Sequence, residues 1–171
     1  MLIYKLLSAL LEYPDQELQD NLPEIRSLLK DAEVSDEDRA ALAKFVDWMA
    51  ASDLTELQAD YVQTFDLTPE NSLHLMHHLY ADDRRLGPAM IDLTEYYKAR
   101  GLKASEGELP DYLPLILEFV AALDEAEGRV FLNRTVKVLS QLAASLEKAE
   151  SPYAPLVRIV ESFGQLERIA A

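Results

Sequence analysis

Apolar residues recur at three- and four-residue steps through most of this chain, and alternation at every second residue is nowhere sustained. This spacing is typical of amphipathic α-helices. Only 5 of the 171 residues are Gly, and the polar positions are rich in side chains such as Glu, Lys and Gln, which lose little freedom in a helix. The sequence therefore predicts an all-α protein, a single-domain helical bundle of about eight or nine helices over residues 1–171.

Prolines and capping residues divide this pattern into helices. The first helix is expected to stop at Tyr13-Pro14, because a residue before proline is pushed out of the helical region. The next three helices each follow a capping residue: Asp15, Ser35 and Asp53. The last of these is expected to run through Phe65. The final two helices are predicted over about 128–148 and about 152–170, the second with Ser151 as its N-cap.

The chain is strongly acidic, with 31 acidic against 16 basic side chains and a formal net charge of −15. Such a surface repels nucleic-acid phosphates and anionic membranes, so we expect neither nucleic-acid binding nor stable membrane binding. A basic polypeptide segment would be attracted instead, and the field would speed its encounter.

Cysteine is absent, which excludes disulfides and thiolate metal sites and suits a reducing cytoplasm. The apolar N-terminal run lacks a small-residue cleavage site and soon reaches Glu12 and Asp15, so it does not resemble a signal peptide. No stretch approaches the ~20 uninterrupted apolar residues of a membrane span. We expect a soluble cytoplasmic protein.

Catalytic motifs are not recognisable in this sequence. No carboxylate pair accompanies a Ser or Lys nucleophile in a known motif, and no glycine-rich phosphate loop is present. His74, His78 and Asp82 would share one helical face at four-residue steps, which is usable spacing for a metal. Two hypotheses about function therefore remain: a cofactor-free protein that binds another polypeptide, and a metal-dependent helical enzyme. A scaffold whose acidity only keeps it soluble is the third hypothesis.

The segment 108–114, ELPDYLP, is the most informative loop. Pro110 and Pro114 bracket Asp111 and Tyr112, and a helix is expected to start at Pro114. The segment could be only a rigid turn that caps this helix. Its functional interpretation is a preset loop that fixes an acid and an aromatic ring toward a peptide groove. On that interpretation Asp111→Lys would weaken binding and leave the helices intact.

Three stretches together resemble one family. They are LLEYPD at 10–15, YVQTFDLTPENSLHLMHHLYADDRRLGPAM at 61–90, and ELPDYLPLILEF at 108–119. In this order and spacing the chain resembles the NarJ-type nitrate reductase assembly chaperones, which are related to the TorD/DmsD-like redox enzyme maturation proteins. The second stretch departs from the usual family pattern, for example with His77 where an acid is common.

The resemblance implies a TorD-like helical chaperone without catalytic activity or a cofactor of its own. Such a protein binds the N-terminal segment of the catalytic (alpha) subunit of respiratory nitrate reductase in the cytoplasm. It assists insertion of the molybdenum cofactor and an iron-sulfur centre before membrane docking. Another molybdoenzyme as client stays open, as does a homodimer. The residues implied in peptide binding or in shaping the site are Glu108, Pro110, Asp111, Tyr112, Pro114, Tyr61, Phe65, Asp66, His74 and Arg84.

Overall fold

The computed structural model describes residues 1–80 and 83–165. These residues form ten α-helices, and no β-strand is found among them. The helices are α1 Leu2–Leu11, α2 Gln16–Leu28, α3 Asp36–Ala51, α4 Leu54–Tyr61, α5 Leu75–Tyr80, α6 Leu86–Ala99, α7 Leu113–Ala121, α8 Glu125–Asn133, α9 Val136–Lys148 and α10 Ala154–Gly164. The all-α prediction is confirmed. Within the described residues, no helix is both long enough and apolar enough to cross a membrane.

The predicted caps hold the starts of α2, α3 and α4. The carboxylate of Asp15 accepts a hydrogen bond from the backbone N–H of Leu18. Ser35 and Asp53 do the same for backbone N–H groups in the first turns of α3 and α4. Each cap satisfies a donor that the helix itself leaves without a partner. Local sequence therefore decides where these helices begin.

Three boundaries differ from the sequence prediction. The α-helix predicted to run through Phe65 ends at Tyr61, and a single π-helical turn, Val62–Asp66, follows it. The helix predicted over 128–148 is two helices, because the backbone N–H of Thr135 bonds to the carbonyl of Leu132 and ends α8. The last helix starts at Ala154, with Tyr153 and not the predicted Ser151 as its N-cap, and it ends at Gly164. Residues 166–170 of its predicted span lie outside the described residues.

The main core gathers the buried faces of most helices around an aromatic cluster. The ring of Tyr153 packs edge-on against Phe45, Trp48, Tyr61 and Phe65, with centroids 4.9–6.0 Å apart. Helix α1 lies along α7, and α10 packs against α8 and α9. Helices α7 and α9, on which the site below depends, both contribute several buried residues to this core.

A second, smaller core attaches α6 to the rest. Leu93 and Tyr97 of α6 pack against Leu115 and Phe119 of α7. The hydroxyl of Tyr97 also donates to the carbonyl of Pro110 at 2.6 Å. The described residues of α6 belong to this smaller core and not to the main one. A cleft therefore lies between α6 and α9.

Gly164 is required where α10 approaches α8 and α9. A Cβ at this position would lie 2.6 Å from Cγ2 of Val136 and 2.9 Å from the carbonyl oxygen of Leu132. Gly164→Ala is therefore expected to lower the free energy of unfolding by about 1–3 kcal/mol, as overpacking does. Chemical denaturation measures this. Gly87→Ala is the control, since a Cβ at Gly87 would meet no atom within 4 Å other than those of its chain neighbours. We expect a change of less than about 0.5 kcal/mol, because the gain in helix propensity is offset by contact with the ring of Pro88.

Candidate functional site

An apolar cleft of about 320 Å³ opens between α5, α6, α7 and the junction of α8 with α9. Its apolar walls are Leu75, Met76, Leu79, Tyr80, Leu93, Ile116, Phe131 and Val138. Helix α5 has only six residues, and apolar side chains lie on more than one of its faces. The core can bury only one of these faces. Leu75 is buried, whereas Leu79 is 51% exposed at the cleft.

The polar residues of the cleft are Asp111, Arg134 and Thr135. Asp111 is fully buried. Its carboxylate accepts a hydrogen bond from the backbone N–H of Met76 at 3.1 Å, and its backbone carbonyl accepts one from Leu75. Asp111 therefore caps the N-terminus of α5 from a distant part of the chain. The loop is tied down further by a short antiparallel bridge between His74 and Tyr112.

Two imidazoles complete the surroundings of this carboxylate. Nδ1 of His74 lies 3.3 Å from Oδ1 of Asp111, and Nδ1 of His77 lies 3.2 Å from Oδ2. Burial opposes ionisation of Asp111, yet the hydrogen bonds and charges of the two imidazoles hold its pKa below the ordinary value. Each Nδ1–H can donate to Asp111, and the opposite edge of each imidazole faces outward on a half-exposed ring.

Tyr112 connects the cleft with a second polar group. Its ring stacks on His74 with centroids 5.2 Å apart. Its hydroxyl lies 2.6 Å from that of Tyr61 and 3.4 Å from Oε2 of Glu12. Because Tyr61 donates its proton to the carbonyl of Leu11, the Tyr112 proton goes to Tyr61 or to Glu12. Burial raises the pKa of both tyrosines, so their hydroxyls stay protonated.

Beyond Tyr112 lies an acidic patch, which consists of Glu12, Glu108 and Glu118. Burial, followed by the negative charges of Glu108 and Glu118, raises the pKa of Glu12. Burial and the charge of Glu108 likewise raise the pKa of Glu118. The folded chain thus holds three carboxylates close enough to repel one another. A cation would relieve this repulsion.

The residues implied by the resemblance divide into three groups. Asp111 lines the cleft, His74 contacts its carboxylate and stacks on Tyr112, and Glu108 belongs to the acidic patch. Four others shape the site from within, since all are buried: Tyr61, Phe65, Pro110 and Pro114. Asp66 and Arg84 are exposed, and no contact among the described residues brings Arg84 to the cleft.

The burial of Asp111 corrects one sequence-based prediction. A lysine at this position would place an ammonium among the apolar walls and beside two imidazoles, which costs several kcal/mol. Asp111→Lys would therefore disturb the packing of α5 and not leave the helices intact.

Three cleft residues were not predicted from the sequence: Leu79, Phe131 and Arg134. The contact of His77 with Asp111 was not predicted either. One local signal was available. Leu75 with Leu79 and Met76 with Tyr80 form two apolar pairs at four-residue spacing on adjacent sides of α5. A short helix that is apolar on two sides has more apolar surface than one core contact covers.

The metal-site hypothesis finds no support in the described geometry. Nε2 of His78 lies 2.7 Å from the carbonyl oxygen of Ser72, so it is engaged by the backbone. Asp82 lies outside the described residues. Within 1–80 and 83–165, no three His, Cys, Asp or Glu side chains are grouped so that they could hold a metal ion.

Known proteins resemble the chain over most of its length. The family described as nitrate reductase delta subunit matches residues 31–158. The nitrate reductase molybdenum cofactor assembly chaperone NarJ of Escherichia coli (strain K12) is 36% identical over 152 residues, which are 88% of this chain. The chain spans only 64% of that relative's length. A protein of Bacillus subtilis (strain 168) described as the same kind of chaperone is 32% identical over 158 residues, 92% of this chain and 85% of that protein.

A solved structure has the same fold. It is that of a protein from Archaeoglobus fulgidus described as a redox enzyme maturation protein. The two align with a TM-score of 0.63 over 94% of this chain and 90% of the other, at 21% sequence identity.

Proposed function

Because the chain belongs to the nitrate reductase delta subunit family, we propose that it is an assembly chaperone for a respiratory nitrate reductase. It binds the N-terminal segment of the catalytic subunit in the cytoplasm and catalyses no reaction itself. The bound client is kept accessible for insertion of its molybdenum cofactor and iron-sulfur centre, and it docks to its membrane anchor afterwards. The observation that carries this proposal is the apolar cleft between α5 and α9. An acidic patch, which Tyr112 contacts through Glu12, lies elsewhere on the same molecule.

The cleft suits an amphipathic helix. Its walls come from five helices and are mostly apolar, so they offer pockets for side chains on one face of a docked helix. Leu79 and Tyr80 lie where the apolar face of a docked helix would cover them. Their burial supplies the affinity, at about 25 cal/mol for each Å² of apolar surface removed from water.

The charges favour a basic segment. The net charge of −15 attracts such a segment from a distance, and the acidic patch accepts its Lys or Arg side chains beyond Tyr112. A chaperone must also release its client. Transient complexes bury less surface than permanent ones, which suits capture of the client in a single cleft.

Calorimetric titration with a synthetic N-terminal peptide of the cognate catalytic subunit tests the proposal. We expect saturable heat with one peptide per chain. The control is a peptide of the same composition in scrambled order, which keeps the charge but loses the apolar face. No heat from the cognate peptide at about tens of micromolar, roughly 6–7 kcal/mol of binding free energy, would contradict the proposal. A stronger response to the N-terminal peptide of another molybdoenzyme would identify a different client.

Removing the charge of Glu12 is expected to increase the stability of the fold and to decrease its affinity for the peptide. Glu12→Gln should raise the free energy of unfolding at pH 7, because burial and the nearby carboxylates disfavour the charged form. The gain shrinks as pH falls through the raised pKa, since wild-type Glu12 then becomes neutral. Affinity for the basic peptide should fall about two- to fivefold, as for one exposed charge pair. Thermal denaturation at pH 7 and pH 5 and calorimetry measure the two effects.

Glu24→Gln is the matched control, because Glu24 is exposed on α2 and no contact places it near the acidic patch. It makes the same change in net charge. A gain in stability or a loss of affinity as large as that of Glu12→Gln would show that only the overall charge matters.

A further inference from the structure

The sulfur of this protein is all thioether. The chain has four methionines and no cysteine, and all four, Met1, Met49, Met76 and Met90, are among the described residues. Met49 is buried in the main core, whereas the other three are partly exposed. Of the four, Met76 is the one that lines the apolar cleft. Oxidation of sulfur can therefore reach the client site through a single residue.

Two contacts fix Met76 in the wall of the cleft. Its backbone N–H donates to the carboxylate of Asp111 at 3.1 Å, which holds the first turn of α5. Its side chain packs against the smaller core, which includes the rings of Tyr97 and Phe119. A thioether is polarizable and packs well against apolar and aromatic groups, and an unbranched side chain adapts to the shape of a partner. Met76 therefore offers an apolar, adaptable surface to a bound peptide.

A peroxide converts this surface into a polar one. A lone pair on Sδ of Met76 attacks one oxygen of hydrogen peroxide, the O–O bond breaks, and an S–O bond forms. The departing hydroxide takes the proton of the transferred oxygen and becomes water. Sulfur loses two electrons and the peroxide gains them, so the products are methionine sulfoxide and water. Methionine sulfoxide reductases reverse the change.

The sulfoxide fits the cleft poorly, because its oxygen needs a hydrogen-bond donor when it is buried. The carboxylate of Asp111 is itself an acceptor, and the hydroxyl of Thr135 already donates to the carbonyl of Leu132. A sulfoxide that turned instead toward Arg134, which also lines the cleft, would place its oxygen in the space that the client's side chains fill. In either position the client loses apolar contact.

We propose that Met76 is an oxidation site that controls release of the client. Conversion of Met76 to the sulfoxide by a peroxide weakens binding in the cleft, and reduction restores it. The loss is about tenfold in affinity, the effect of one polar group buried without its full set of hydrogen bonds. This inference rests on the proposed peptide binding and adds to it a chemical control of the same site.

Mass spectrometry of the wild-type protein during peroxide treatment tests the site. Samples are taken over time with and without the saturating cognate N-terminal peptide, in which norleucine replaces any methionine. We expect Met76 to form the sulfoxide faster than the buried Met49, and bound peptide to slow Met76 at least about fivefold while Met90 reacts at an unchanged rate. Oxidation of Met76 as slow as that of Met49, or equally fast with and without peptide, would overturn the inference.

Calorimetry with the same peptide, after catalase has removed the peroxide, tests the consequence. In the wild type and in Met90→Leu, treatment is expected to lower affinity about tenfold, and methionine sulfoxide reductase should restore it. In Met76→Leu, a volume-conserving change that removes the sulfur, treated and untreated protein should bind equally well. An equal loss in all three proteins, or no loss in the wild type, would overturn the inference while leaving peptide binding in place. No binding by the untreated wild type would remove the proposed function together with it.

Discussion

Replacing Asp111 by alanine is expected to lower the free energy of unfolding by about 3 kcal/mol, the largest loss among the site variants. Asp111→Ala removes the cap of α5 and leaves the N–H of Met76 and both imidazoles without their buried acceptor. A lost cap costs about 1 kcal/mol, and lost hydrogen bonds to a buried charge cost about 1.5–3 kcal/mol. In a chain of this size, the melting temperature should fall by about 6–12 °C.

The control for this variant is Asp47→Ala. Asp47 pairs with Arg26 on the exposed face of α3, where such pairs contribute about 0–1 kcal/mol. Thermal denaturation of the three proteins measures the difference. A melting temperature of Asp111→Ala within 2 °C or so of the control would show that Asp111 does not hold α5.

The contribution of Asp111 should also depend on pH in a defined direction. Its pKa is lower in the folded chain than its ordinary value of about 3.9. The stabilisation is therefore complete above about pH 4 and is lost as pH falls through the folded-state value. The difference between wild type and Asp111→Ala should accordingly narrow in acid.

Replacing Leu79 by glutamine is expected to weaken binding of the client peptide roughly 30-fold, or about 2 kcal/mol, with the melting temperature almost unchanged. Leu79 is 51% exposed and lines the cleft, so a polar side chain disturbs little in the free protein. In the complex it loses about 1–2 kcal/mol of apolar burial and leaves an amide in an apolar contact.

Leu67→Gln is the matched control for Leu79→Gln. Leu67 is 65% exposed and follows the π-helical turn, outside the cleft. Calorimetric titration of both variants compares their affinities. Similar affinities of Leu79→Gln and Leu67→Gln would mean that the peptide does not cover α5.

Sequence predicted the parts of the fold that depend on neighbours along the chain. Helical periodicity gave the fold class, and Asp15, Ser35 and Asp53 marked three helix starts correctly. The division between α8 and α9 was missed, because the apolar spacing continues across Thr135 while its N–H bonds to the carbonyl of Leu132. A break made by backbone hydrogen bonds leaves no gap in the hydrophobic pattern.

The site could be located only in part, since it depends on contacts between distant residues. The proline-bracketed loop identified Asp111 and Tyr112 as important, but the burial of Asp111 and the placement of Tyr112 depend on His74 and α5, more than thirty residues earlier in the chain. The cleft takes its walls from five helices, and periodicity along one helix cannot reveal which others it meets. Arg134 lies in an unremarkable stretch of sequence and gains its position through the packing of α9.

Hydrogen exchange with and without saturating client peptide tests the central claim that the cleft between α5 and α9 captures the client. We expect amide exchange to slow at least about tenfold in Met76–Tyr80, with a smaller effect at the start of α9. A second groove, lined by Phe45, Trp48, Pro152 and Pro155, provides an internal comparison and should show no change. Bound peptide that protects the Trp48 groove and leaves α5 unprotected would contradict the claim.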